Sequence, residues 1–174
     1  MVSLIVAGEI GFWVVLALAL VVRYALGWRR ASTALLLLLP VVDLVILGAT
    51  VADLRGGATA DWTHGLAASY VGFSVSFGHR LVTWADGHAA HRLAGGPVPP
   101  RPPRYGRERA AYEWRTFGLT LLSCTVTVAL IAAVQLLADA PALDSWYRRM
   151  ALVAGVNLLI AASYTVFPKR PKAG

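Results

Sequence analysis

Residues 116–137 read TFGLTLLSCTVTVALIAAVQLL, a stretch that contains no acidic or basic side chain. As an α-helix it would be about 33 Å long, and the hydrocarbon core of a bilayer is about 30 Å thick. Its length and polarity therefore predict a membrane-spanning helix. The composition of the whole chain agrees, because 57% of its residues are hydrophobic and 14% are charged, against about 25% charged residues in globular proteins.

Four further stretches are also long and apolar enough to predict spanning helices. The five predicted spans cover about residues 3–22, 33–53, 61–85, 116–137 and 146–167. The third is the most polar, and it is retained because without it the basic loop and the basic C-terminal tail would lie on opposite sides of the membrane. The sequence thus predicts an all-α membrane protein, a five-transmembrane-helix bundle that forms one integral domain over residues 1–174.

The positions of the basic residues predict how this bundle is threaded. Cytoplasmic flanks are enriched in Lys and Arg, and a chain with its N-terminus outside would place 13 of its 16 basic residues in the cytoplasm. The exceptions are Arg55, Arg148 and Arg149. No basic residue precedes the first span, so it does not have the pattern of a cleaved signal peptide. We therefore expect the N-terminus outside and the C-terminus in the cytoplasm, and the net charge of +7 is first of all an orientation signal.

The long cytoplasmic connection is predicted over residues 87–115. Its central run, GGPVPPRPPR at 95–104, is too rich in proline for helix or sheet and favours extended backbone. The segment 105–115 that follows is predicted to be an interfacial helix leading into the fourth span. Its arginines suit an anionic leaflet, and the candidate contacts for lipid or for a protein partner are Arg101, Arg104, Arg107 and Arg109. The alternative is that these arginines only hold the topology; nucleic acid is not expected, because no recognised module surrounds them.

Polar residues within the predicted spans are the other candidates for function, because a charge in the bilayer core is costly. They are Glu9, Asp43, His64, Tyr70, His79 and Asn157. Counting about 1.5 Å per residue from the helix starts places Asp43, Tyr70 and Asn157 near the midplane. This polar layer has two interpretations: a hydrogen-bonded core in which Asn157 and Tyr70 satisfy Asp43, or a proton or cation relay through Asp43.

Glu9 and His64 are predicted to lie near the outer face, where Asp53 and Asp61 end neighbouring helices. These groups suggest either a salt-bridged rim or a divalent metal site, although their spacing is unspecific. His64 and His79 share one stripe of the third helix with Asp61, but a bis-histidine haem needs ligands that face each other. Only a dimer could supply them, so no cofactor is predicted, with haem or a divalent metal as the alternative. For the helix starts, we expect Asp61 or Thr59 to cap the third helix and Asp144 to cap the fifth.

Three stretches together resemble a known family. They are PVVDL at 40–44, HGLAASYVG at 64–72 continuing to Gly78-His79, and AGGP at 94–97 followed by the basic proline run and Tyr105-Gly106. With them, nearly the whole chain resembles the YmcC-type family of small bacterial inner-membrane proteins. The resemblance implies a multi-pass protein of the bacterial plasma (inner) membrane and brings no activity and no catalytic residue with it.

The sequence favours no enzyme class. No nucleophile elbow, phosphate loop or Ser-His-Asp arrangement is present, and the single cysteine, Cys124, excludes a multi-cysteine zinc site. We therefore expect a non-enzymatic accessory or scaffold protein with a basic cytoplasmic loop, able to contact anionic lipids, a membrane-protein partner or a second copy of itself. The alternatives are a proton- or cation-conducting protein that uses the intramembrane acids and histidines, and a dimeric haem or metal protein.

Overall fold

The structure is a computed structural model that describes residues 2–138 and 141–168. At some helical positions the structure describes the backbone and not the side chain; these are positions 2–6, 8, 9, 12, 37, 39, 40, 43, 44, 46, 47, 50 and 141. The predicted functional side chains Glu9 and Asp43 belong to this group, and the basic tail residues Lys169, Arg170 and Lys172 lie outside the described ranges.

The described chain is all helical, as the sequence predicts, and contains no strand. Its long helices are α1 (Val2–Tyr24), α2 (Arg29–Arg55), α3 (Trp62–Ala94), α4 (Gly106–Ala138) and α5 (Ser145–Val166). A single 3₁₀ turn, Pro141–Asp144, leads into α5. Consecutive helices pack against each other throughout, and α1 also contacts α3. The main core lies among α3, α4 and α5, where the buried members of one cluster include Ala68, Ile131 and Trp146.

Much of the apolar surface faces outward rather than inward. Leu136 is 88% exposed, and Leu152 and Leu159 are 68% and 71% exposed. Within the described residues, two helical stretches are long and apolar enough to cross a membrane, Gly106–Ala138 and Ala142–Val166. Trp13–Tyr24, the second half of α1, is a shorter apolar stretch. A soluble monomer rarely exposes apolar surface on this scale, so the arrangement is typical of helices that face lipid.

The predicted capping residue is confirmed for the third helix and wrong for the fifth. Asp61 precedes α3 in extended backbone, and its carboxylate accepts hydrogen bonds from the Thr63 amide at 2.9 Å and from the Thr63 hydroxyl. Asp144 has helical backbone angles, φ −56° and ψ −32°, and makes no capping hydrogen bond. The 3₁₀ turn already brings the chain into a helical conformation there, and the Asp144 carboxylate accepts from Gln135 Nε2 at 2.8 Å instead.

Much of the predicted cytoplasmic connection, 87–115, is helical, because α3 and α4 both extend into it. Helix α3 continues to Ala94 because no residue from 87 onward breaks it until Gly95, which ends it in the left-handed conformation at φ +63°. Residues 95–105 form the connection, with no helix or strand as far as residue 104. The predicted interfacial helix forms from Gly106 onward and is continuous with the fourth predicted span.

Candidate functional site

Arg109 is the centre of an arginine–tyrosine cluster where α4 begins and α5 ends. Its guanidinium forms an ion pair with Glu113, one turn further along α4, and Nη1 donates to the Pro103 carbonyl at 3.3 Å. The same group lies 4.9 Å from the ring centre of Tyr164 on α5 and 5.4 Å from that of Tyr112. Cation–π contacts within about 6 Å are attractive, so Arg109 holds the proline-rich connection, α4 and α5 together.

Arg80 on α3 joins the same cluster through its contact with Tyr112. Its guanidinium lies 4.4 Å from the Tyr112 ring centre, and Nη1 donates to Thr116 Oγ1 at 3.0 Å. Tyr112 is thus contacted by two guanidinium groups. In the sequence, Arg80 counts only as one of the 13 basic residues expected in the cytoplasm. Its pairing with Thr116 could not be predicted, because the two residues are 36 positions apart and meet only where α3 packs on α4.

A pocket opens beside this cluster, with a volume of about 280 Å³. Its lining consists of Arg104, Tyr105, Arg109 and Tyr164. Two of the four predicted lipid-contact arginines therefore meet at one site. The other two, Arg101 and Arg107, are exposed and do not line it.

Aromatic residues surround the same end of the bundle. The Trp114 indole donates to Thr165 Oγ1 at 2.9 Å, and its ring meets that of Phe117 edge-on with 5.7 Å between centroids. Trp114 is 43% exposed and Phe167 is 77% exposed. Partly exposed aromatic rings are typical of the zone where the headgroups of a bilayer lie.

The opposite end of the bundle holds His64, which is buried at 3% exposure. Its Nδ1 lies 2.8 Å from Asp61 Oδ1, and its Nε2 lies 3.3 Å from Asp53 Oδ2 at the end of α2. Hydrogen bonds from Thr63, above all from its side chain, hold the pKa of the Asp61 carboxyl below its ordinary value of 3.8. Of the predicted outer-face group, His64, Asp53 and Asp61 lie together, with one carboxylate at each ring nitrogen, while the Glu9 side chain lies outside the description.

Trp146, which sequence reasoning missed, packs beside this histidine cluster. It is 5% exposed and stacks on Trp62 with ring centroids 6.4 Å apart, while the Arg149 guanidinium lies 5.3 Å from its ring centre. Gly65 makes room for the indole, because a Cβ at that position would collide with it. The signal available in the sequence was a glycine within the predicted third helix, one residue after His64.

The predicted midplane layer is described only in part. Asn157 Nδ2 donates to the Val153 carbonyl at 3.0 Å, and Thr120 Oγ1 donates to Asn157 Oδ1 at 3.5 Å, so these contacts lie on the α4–α5 side of the bundle. Tyr70 lines a half-open cavity of about 310 Å³ between α1 and α3, together with Trp13. Because the Asp43 side chain lies outside the description, its pairing with Asn157 and Tyr70 stays a prediction.

The histidine stripe on α3 is not uniformly covered. His64 is buried, whereas His79 on the same stripe is exposed. A long helix crosses its neighbours at an angle, so residues on one face can be covered by a neighbouring helix at one end and lie outside the contact at the other end. Among the residues that the structure describes, no group of three or more His, Cys, Asp or Glu side chains could hold a metal ion.

Another contact that the sequence did not predict joins α1 to α3. The Tyr24 hydroxyl donates to Asp86 Oδ1 at 2.9 Å, and Arg23 Nε lies 3.3 Å from the same oxygen. Burial and the neighbouring Asp86 carboxylate raise the pKa of Tyr24 above its ordinary value of 10.0. This contact places the end of α1 beside the final turns of α3, at the end of the bundle that holds the arginine–tyrosine cluster.

Comparisons with known proteins agree with the resemblance noted in the sequence. The chain is 33% identical over 174 residues to a Bacillus subtilis (strain 168) protein named "Uncharacterized membrane protein YmcC", covering 98% of this chain and 94% of that protein. No family model matches the chain, and no solved structure matches it. An identity of this size over almost the full length of both proteins shows that the chain belongs to the YmcC-type family of membrane proteins.

Proposed function

We propose that this protein is a five-span, non-enzymatic accessory protein of the bacterial plasma membrane, with its N-terminus outside and its C-terminus in the cytoplasm. Its basic cytoplasmic end binds the anionic inner leaflet and there positions the bundle, or a membrane-protein partner. The observation that carries the proposal is the unequal charge of the two ends of the bundle.

Three contacts between helices define the basic end. Tyr24 binds Asp86, Arg80 binds Thr116, and Trp114 binds Thr165, so the end of α1, the end of α3, the start of α4 and the end of α5 all lie together. Ten described arginines belong to this end or to its loops: Arg23, Arg29, Arg30, Arg80, Arg92, Arg101, Arg104, Arg107, Arg109 and Arg115. The other end holds Arg55, Arg148 and Arg149.

The unequal number of arginines at the two ends supports two roles: it orients the bundle in the membrane, and it attracts the basic end to anionic lipid. A basic residue near an anionic leaflet contributes about 1 kcal/mol of attraction. Five of the ten arginines, at 101, 104, 107, 109 and 115, follow one another within the connection and the first turns of α4. Trp114 and Tyr105 lie among them and are partly exposed, as expected of side chains at the membrane–water interface.

The test is the amount of anionic lipid that the protein retains. Arg101 and Arg107 are both exposed, so replacing them with Gln removes two charges without disturbing a described contact. Purified in mild detergent and incubated with phosphatidylcholine vesicles that contain phosphatidylglycerol, the R101Q/R107Q variant should retain less phosphatidylglycerol than the wild type. At about 1 kcal/mol per arginine the loss should approach 2 kcal/mol, or more than tenfold.

A matched control removes two charges from the opposite end. Arg55 and Arg148 are also exposed, and the R55Q/R148Q variant has the same net charge as R101Q/R107Q. We expect it to retain phosphatidylglycerol nearly as well as the wild type. Equal losses in the two variants, or no loss in either, would contradict the proposed lipid-binding end.

Conduction of protons or cations is the second candidate function. The observation that favours it is the buried His64 between Asp53 and Asp61, because imidazole and carboxylate groups in contact can exchange protons near the mouth of a bundle. The half-open cavity that Tyr70 lines, between α1 and α3, is a further opening, although most of its lining is apolar, as with Phe73. Proton flux in proteoliposomes distinguishes the two functions.

A further inference from the structure

We propose that the pocket lined by Arg104, Tyr105, Arg109 and Tyr164 binds the phosphate group of an anionic phospholipid. The inference rests on the proposed function and deepens it, because it replaces a diffuse attraction to the leaflet with one specific site. The ligand class is a phosphate ester, and we assign it to a lipid headgroup.

The chemistry of the lining matches a phosphate oxyanion. Guanidinium groups bind phosphate oxygens through charge-assisted hydrogen bonds, often two at once, and tyrosine hydroxyl groups supply further donors. The pocket lining supplies two guanidinium groups, from Arg104 and Arg109, and two tyrosine side chains, Tyr105 and Tyr164. A volume of about 280 Å³ accommodates a phosphate group together with part of a headgroup.

The two arginines have different tasks in this pocket. Arg109 is fixed in place by its ion pair with Glu113 and its contact with the Tyr164 ring. Its charge is therefore largely matched by that of Glu113. Arg104 is exposed, and within residues 2–138 and 141–168 no carboxylate forms an ion pair with it. The pocket thus keeps one positive charge that is not matched within the described structure, and Arg104 supplies it.

The surroundings of the pocket carry the same sign. Helix α4 begins at Gly106, directly after Tyr105, and the start of a helix carries the positive end of its dipole. Arg107 lies in the first turn of α4 and is exposed. Glu108 in the same turn is the acidic exception, and it is not part of the pocket lining.

A lipid is the occupant that the position favours. The pocket borders Tyr164, close to the end of an apolar helix whose Leu159 and Val166 are 71% and 66% exposed. Trp114 joins this end of α5 to α4 through Thr165 and is itself partly exposed. A headgroup held between Arg104 and Tyr164 would leave its acyl chains along the exposed apolar face of α5.

The experiment compares two single arginine variants. R104Q removes the unmatched charge from the pocket, whereas R107Q removes the same charge from an exposed position that does not line it. Full-length protein in mild detergent is titrated with short-chain phosphatidylglycerol, and binding is followed by native mass spectrometry. Loss of a charge-assisted hydrogen bond should weaken binding about tenfold or more in R104Q, and R107Q should bind within about fivefold of the wild type.

Two further variants secure the result. Y105F keeps the ring and removes one hydroxyl donor, and should weaken binding less than R104Q does. R104K keeps the charge but not the planar guanidinium, and should fall between wild type and R104Q. Arg104 lies in the connection and is exposed, so all of these variants should elute from size-exclusion chromatography and melt as the wild type does.

The outcomes separate this inference from the proposed function. Equal and modest weakening in R104Q and R107Q would overturn the pocket and leave the charge-driven leaflet binding in place. No preference for phosphatidylglycerol over phosphatidylcholine in the wild type would overturn both. A parallel titration with inorganic phosphate identifies the source of the ligand. Displacement of the lipid by phosphate that depends on Arg104 supports the phosphate site. A protein that binds inorganic phosphate but does not bind the lipid would overturn the assignment to a headgroup.

Discussion

Nε2 of His64, in the first turn of α3, lies 3.3 Å from Oδ2 of Asp53, in the last turns of α2. The contact closes the connection that carries Gly56 and Gly57, with Gly57 at φ +91°. The imidazole is buried, while the Asp53 carboxylate is 42% exposed. A pair of this kind ties two helix ends together on one side of the bundle.

Breaking this pair should destabilise the protein in a coupled way. Asp53→Ala should lower the midpoint of thermal unfolding in wild type and have a smaller effect when His64 is already replaced by Phe. A contacting pair is expected to show a coupling energy of about 1 kcal/mol. The control combines His64→Phe with Glu108→Ala, because Glu108 is exposed and lies at the other end of the bundle. The effects of these two substitutions on stability should add. If the effects of Asp53→Ala and His64→Phe also simply add, the proposed pair is contradicted.

The carboxyl of Asp61 should make the start of α3 sensitive to acid. Its pKa is lowered in the folded protein, so its contribution to stability is present above its ordinary value of 3.8 and is lost as pH falls through the folded value. Asp61→Asn keeps a capping side chain without a titrating proton. Between pH 5 and pH 3, the unfolding midpoint should therefore fall further in wild type than in Asp61→Asn; parallel curves would show that the cap does not titrate with folding.

Close helix packing at two glycines should not tolerate a methyl group. A Cβ at Gly65 would collide with the Trp146 indole, and one at Gly72 would lie 2.7 Å from the Ser123 carbonyl oxygen. Gly65→Ala and Gly72→Ala should each cost about 1–3 kcal/mol of unfolding free energy. Gly78 on the same helix has nothing within 4 Å of that position, so Gly78→Ala should be neutral or stabilise by up to about 1 kcal/mol.

The threading of the chain is tested by labelling single cysteines in intact cells with an impermeant thiol reagent. Cysteines placed at Gly57 and Ala142 should react, and one placed at Pro100 should react only after the cells are opened. All three positions are exposed. The native Cys124 is buried, so the unmodified protein serves as the blank, and the reverse pattern would contradict the proposed N-out orientation.

Asp43 distinguishes the accessory protein from the conductor. If it is a hydrogen-bonded structural group, Asp43→Asn should fold normally, because Asn has a similar shape and hydrogen bonds without a titratable proton. Wild-type proteoliposomes under a pH gradient should then show no proton flux above that of empty vesicles. A wild-type flux that disappears in a well-folded Asp43→Asn variant would instead establish conduction.

Several features of this protein follow from local sequence and need no knowledge of packing. Five long helices and the break at Gly95-Gly96 with its prolines depend on the polarity and backbone preferences of neighbouring residues. The Asp61 cap does as well, because its bond to Thr63 spans only two residues. The proximity of His64 to Asp53 and Asp61 could also be predicted from the sequence, because only one short turn separates the two helix ends that carry them.

The tertiary structure decided which distant residues meet. Arg80 contacts Tyr112 and Trp146 fills the space left by Gly65 only because α3 packs on α4 and α5 in one register. The four arginines that the sequence predicts as lipid contacts also differ in their positions: Arg104 and Arg109 line a pocket with Tyr164, while Arg101 and Arg107 do not. Sequence spacing sets which side chains share a helix face, but the crossing of helices sets which faces meet, and that depends on contacts summed over the whole bundle.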